Sequence, residues 1–107
     1  MSYVSEKLGS AIEGMVSSHE SLKERLLGAF FTFHTLSEKD FPEELKLYWK
    51  SIHERHTKDG AILDDQGNVP VGSAENTINN MSNTDQSTLA SDIMGLYIQL
   101  SQLSNVS

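Results

Sequence analysis

Cysteine is absent from this chain of 107 residues, so disulfides, thiolate nucleophiles and cysteine-based zinc sites are excluded together. Cations are missing from one half of it. All 8 lysines and arginines lie at or before Lys58, where they are matched by 9 acids; the remainder of the chain holds 6 acids and no cation, for a net charge of −7. A half without fixed positive charge cannot neutralise phosphates, so neither nucleic acid nor an anionic membrane surface is expected as a partner. Long apolar runs are lacking too: nowhere do about 18 apolar residues follow one another. Met1 to Val16 interleaves Glu6, Lys7 and Glu13 with its apolar residues, unlike a secretory signal, and a cytoplasmic location is expected. Asn80-Met81-Ser82 and Asn105-Val106-Ser107 match the glycosylation acceptor pattern, which in that setting is read as chance. With 37% hydrophobic residues the chain has material for one modest core, hence a single domain over residues 1–107.

What is present is helical rhythm. Val4, Leu8, Ile12 and Met15 recur at steps of four, four and three, which predicts a first helix from about Ser2 to Val16. Leu22, Leu26, Phe30 and Phe33 resume the stripe in a second helix, roughly Ser18 to His34. Ser17 with Glu20 and Ser21 with Glu24 have capping-box spacing, which argues for a break between the two; one continuous helix is the rival reading. The three phenylalanines Phe30, Phe31 and Phe33 cannot share one helix side, so this helix is expected to be central. Asp40-Phe41-Pro42-Glu43-Glu44 reads as a third helix start, with an acidic cap, proline at the first helical position and acids against the dipole. Leu45, Trp49, Ile52 and His56 form its apolar stripe, ending by Lys58-Asp59-Gly60. An irregular loop follows at about 59–72, where Pro70 and the shortness of the apolar arms weigh against a hairpin. Gly72-Ser73 opens a short fourth helix to Met81. Ser82-Asn83-Thr84-Asp85 caps a last one to about Leu103, with Leu89, Ile93, Leu96, Leu100 and Leu103 in one stripe. The fold class expected is all-α, a compact bundle of four to five helices.

Chemistry-bearing patterns are sparse. His53 and His56, at i and i+3, could face a common metal with His34 or an acid completing the set, but the metalloprotease pattern needs i and i+4. A surface histidine placed against the helix dipole accounts for His56 equally well. Glu43-Glu44 and Asp64-Asp65 are adjacent pairs whose side chains diverge, so paired acid–base work is not expected of them. No glycine run cradles phosphate, and no nucleophile has a recognisable base. No catalytic residue and no cofactor is therefore assigned.

The last helix is more informative. Opposite its leucine stripe lie Ser87, Ser91, Met94, Gly95, Ile98 and Gln102, a face without charge, where solvent-facing helices ordinarily carry lysine and glutamate. That face is expected either to meet another chain or to be buried within the bundle.

Phe41-Pro42-Glu43-Glu44-Leu45, Ile52 with Glu54-Arg55 and Thr57, Gly72-Ser73 with Thr77-Ile78 and Met81-Ser82, and Ile93 with Leu96-Tyr97 together resemble a group of short, uncharacterised all-helical bacterial proteins, over about Phe41 to Leu100. The resemblance implies a bacterial helical domain. It implies no activity, cofactor or catalytic residue.

Three functional readings follow. The favoured one is a non-catalytic acidic interaction module or regulator, a homodimer through the last helix or the docking site of an unidentified protein partner. A small metal-dependent enzyme using His34, His53 and His56 is the alternative. The acidic half as a nucleic-acid mimic comes third, since 6 acids spread over that length are thin beside duplex DNA's one charge per roughly 1.7 Å.

Overall fold

The structure, a computed structural model, describes residues 3–69 and 72–106, with side chains through Leu103. Ser2 as a helix start, Pro70 and Val71 of the loop, and Ser107 of the second acceptor pattern lie outside the described residues. Among the described residues five α-helices follow one another: α1 Tyr3–Ser17, α2 Leu22–Phe33, α3 Lys46–Thr57, α4 Ser73–Asn79 and α5 Asn83–Val106, with 3₁₀ turns at Glu38–Asp40 and Glu43–Leu45 ahead of α3. The architecture is the all-α bundle that the periodicity predicts. No helix among the described residues is long and apolar enough to cross a membrane.

The predicted stripes converge on one core. Val4, Leu8 and Met15 of α1, Leu26 and Phe33 of α2, Leu45, Trp49 and Ile52 at α3, Ile78 of α4, and Leu89, Ile93, Leu96 and Leu100 of α5 are all buried in it. Burying each of the larger side chains contributes about 1.5–3 kcal/mol, so this shared core stabilises the bundle more than any polar contact does. Trp49 is its aromatic hub, stacked on Phe41 at 5.0 Å and edge-on to Phe33 at 5.3 Å.

The chain breaks between α1 and α2, not by a glycine or proline but by capping. Ser21 Oγ accepts from the Glu24 amide at 3.2 Å and starts α2. Arg25 reaches back to donate to the carbonyls of Met15 and Glu20, both at 3.1 Å, closing the end of α1, which has no basic residue of its own in its last turn. Ser17 is not a cap. It is the last residue of α1, its hydroxyl turned back onto the Glu13 carbonyl at 2.8 Å, and α2 begins four residues later than Ser18.

The start of α3 also differs from expectation. Asp40 closes a small turn, its carboxylate accepting from the Ser37 amide at 2.8 Å, while Pro42 precedes a 3₁₀ turn instead of occupying the first α-helical position. With Phe41 and Leu45 both drawn into the core, the backbone between them tightens into i→i+3 turns before the α-helix begins at Lys46.

Beyond α3, Gly60 takes the left-handed conformation (φ 68°) and α4 folds back to hold the corner. Buried Thr77 accepts from the Asp59 amide at 3.0 Å, and Asn76 donates to the carbonyls of Asp59 and Gly60. The loop carries one tight turn, in which Asp64 Oδ1 accepts from the Gln66 and Asn68 amides and Gly67 supplies a positive φ of 81°. Those two amides hold the Asp64 carboxyl below its usual range. Ser82 Oγ then accepts from the Asp85 amide at 3.1 Å, the capping expected for α5.

Candidate functional site

The three histidines of the enzymatic reading are brought together, but around a phenyl ring. His34 stacks on Phe30 at 5.8 Å, His53 lies 6.2 Å from the same ring and His56 5.4 Å from it. Each of the three imidazoles thus packs against the Phe30 ring. Among the described residues no group of three histidines, aspartates or glutamates could hold a metal ion. The hollow beside His53, about 300 Å³, is lined by Leu36, Ser37, Glu38, Trp49, Lys50 and Glu54 and reaches neither His34 nor His56. His34 is committed to the Phe31 carbonyl through Nδ1 at 2.9 Å.

His56 is not the surface residue that its place near a helix end suggests. It is fully buried, wedged against Phe30 and Phe33, because it continues the Leu45, Trp49, Ile52 stripe at i+4 from Ile52. Burial pushes its pKa down to about 4; the Leu26 backbone pulls the other way, and His53 and Arg55 depress it further.

The acids of the cation-free half make no continuous stripe. Asp92 pairs with Arg55 at 2.6 Å, Asp64 is bound into its own turn, and Asp59 accepts from the Asn80 amide group at 3.1 Å. Asp65, Glu75 and Asp85 stand on three different segments.

The uncharged face of α5 is different in kind. Ser87, Ser91, Met94, Ile98 and Gln102 are exposed, the two apolar ones at 42% and 44%. Gly95 is not part of an open groove. A Cβ there would meet the Tyr48 hydroxyl of α3, so the glycine serves close packing within the bundle. Tyr48 at Gly95, Arg55 at Asp92, and the hollow that Leu45 shares with Gln99, Gln102 and Leu103 show α3 and α5 running antiparallel, side by side. Burial and the nearby Asp92 carboxylate raise the Tyr48 pKa, with Arg55 opposing them.

One residue escaped the sequence reading. Leu47 is 79% exposed, outside the α3 stripe and turned away from the core, as Met94 and Ile98 are on α5. Helical geometry sets it on the solvent flank of the α3–α5 seam, the flank that Ile98 and Ser91 also occupy. The signal was present: in a helix whose inward positions are 45, 49, 52 and 56, a leucine at 47 has nothing of its own to pack against.

Comparison of the chain with protein-family models, with curated proteins and with solved structures found no match to any of them, so nothing there adds to the resemblance to short bacterial helical proteins or supplies an activity.

Proposed function

We propose that this protein is a non-catalytic interaction module that docks through the face formed by α5 and the adjacent flank of α3, and that a second copy of the chain pairs with it across a two-fold axis. The observation that carries the reading is the exposure of Met94 and Ile98 on α5, beside Ser87, Ser91 and Gln102 and without a charged residue among these five, with Leu47 exposed on the adjacent helix. Exposed helix surfaces of a monomer ordinarily carry charge there, whereas interface centres are depleted of it and rich in methionine and aromatics. A self-complementary helix pair of this kind suits an isologous contact, in which each Ile98 meets the same stripe on the other copy.

Light scattering at high micromolar concentration tests it. The wild type is expected at twice the chain mass, and Ile98→Glu or Leu47→Glu at the chain mass with an unchanged helical circular dichroism spectrum, since burying an unpaired carboxylate at both copies costs several kcal/mol, on the order of the whole contact. A wild type that scatters as a monomer rejects self-pairing.

A further inference from the structure

His56 has no explanation in the docking surface. It is fully buried, yet neither Nδ1 nor Nε2 makes a well-formed hydrogen bond, the Leu26 backbone lying near enough to favour the proton but off hydrogen-bond geometry. The other buried polar side chains are satisfied: Thr77 by the Asp59 amide, Gln86 by the Met81 carbonyl. A neutral imidazole brings one donor and one acceptor, and burying both unmade is unfavourable where leucine or methionine would fill similar space without that penalty. The ring sits between Phe30 and Phe33 at 5.4 and 5.6 Å, and the α2–α3 contact consists of such rings: Phe33 on Trp49, Phe30 on His53, both on His56.

Around the ring the Leu26 backbone alone favours a proton, and no carboxylate among the described residues pairs with it. On its own helix the charged groups that reach His56 are His53 and Arg55, both cationic when protonated. From α2 it meets Leu26, Phe30 and Phe33; Arg25 is held at the Met15 carbonyl, Lys23 lines a hollow with Asn83 and Gln86, and Glu24 is exposed. The one acid of α4, Glu75, is exposed, and on α5 Asp92 is taken by Arg55 while Asp85 is exposed.

We propose that His56 is an acid-triggered latch: proton uptake by its ring expels it from between Phe30 and Phe33 and parts α3 from α2 while the helices persist. The closed state resists the proton because its imidazole pKa is held at about 4, whereas a solvated imidazole titrates at 6.5. Falling pH therefore favours the parted form. Once open, the protonated His56 carries a charge that resists return to the apolar space between Phe30 and Phe33.

Trp49, the sole tryptophan, reports on this contact directly, being 2% exposed and 5.3 Å from Phe33. Its emission and the far-UV circular dichroism would be followed from about pH 7.5 to about pH 4 at constant ionic strength, for wild type, His56→Leu, His56→Met and His53→Gln. The expected result is a red shift of Trp49 emission in wild type and His53→Gln before the helical signal is lost. In His56→Leu and His56→Met the emission should stay blue over the same interval. An identical transition in the His56 variants, or loss of both signals together in wild type, would overturn the latch. Should both His56 variants fail to fold, imidazole NMR of the wild type decides: His56 must bind its proton in the interval where Trp49 shifts, and a ring that stays neutral through that shift refutes the proposal.

Discussion

Arg55 Nη1 donates to Asp92 Oδ2 at 2.6 Å, joining the half of the chain that holds every cation to the half that holds none. Among the described residues no other ion pair spans the two halves. Each side chain is 36% exposed, so solvent screens the pair and its contribution is about 1 kcal/mol or less. Asp92→Asn should lower the unfolding free energy by no more than that, and the difference should shrink at high salt. Urea denaturation at low and high ionic strength checks it; equal midpoints for wild type and variant at low salt would show that the pair contributes nothing.

Gly95 and Tyr48 offer a sharper test. A methyl group at position 95 meets the Tyr48 hydroxyl but only ordinary contact with the ring carbon that bears it, 3.7 Å away. Gly95→Ala alone should therefore change stability little, the gain in helix propensity offset by displacement of the hydroxyl. In a Tyr48→Phe background the same substitution should stabilise by up to about 1 kcal/mol, the helical preference of alanine over glycine. Thermal denaturation of the four proteins measures the coupling, and additive effects would contradict the packing described.

His56 also makes overall stability depend on pH. Its folded pKa of about 4 lies below the ordinary 6.5, so the unfolded chain binds more protons between those values. Stability is then full above about pH 6.5 and declines as pH falls through the window, by up to about 3 kcal/mol near pH 4. His56→Met should remove this part of the slope and leave the carboxylate part. Urea midpoints at several pH values show whether the two curves diverge below about pH 6.5 as this requires.

The break between α1 and α2 depends on Ser21 and Arg25. Ser21→Ala should cost about 1 kcal/mol through the uncapped Glu24 amide. Arg25→Met should cost a similar amount by leaving the Met15 and Glu20 carbonyls without their donor, about 1–3 kcal/mol where the carbonyl is sheltered. Hydrogen exchange would find the loss of protection concentrated around residues 15–25; a uniform loss along the chain would argue that these contacts do not define the corner.

Much of this was present in one dimension. Steps of three and four marked the inward faces of all the longer helices, because a helix that buries one side must repeat its apolar residues at that interval whatever it packs against. Serine followed three residues later by Glu24 or Asp85 marked two helix starts, since capping is a contact within a few residues of sequence. The uncharged face of α5 was legible for the same reason. Ser17 and Asp40 were misleading because several local turns can use the same side chain, and the burial of Phe41 and Leu45 chose among them.

Composition and periodicity by themselves determined the all-helical class, the absence of thiol chemistry and the cation-free second half, all of which depend on residues close in the chain or on simple counts. Only the tertiary structure decided what lies between the histidines, which side of α5 the Tyr48 hydroxyl covers, and that Leu47 stands in solvent. Those are distances between helices, set by how bulky side chains such as Phe30, Phe33 and Trp49 fill one core together, and no spacing along a single helix contains them.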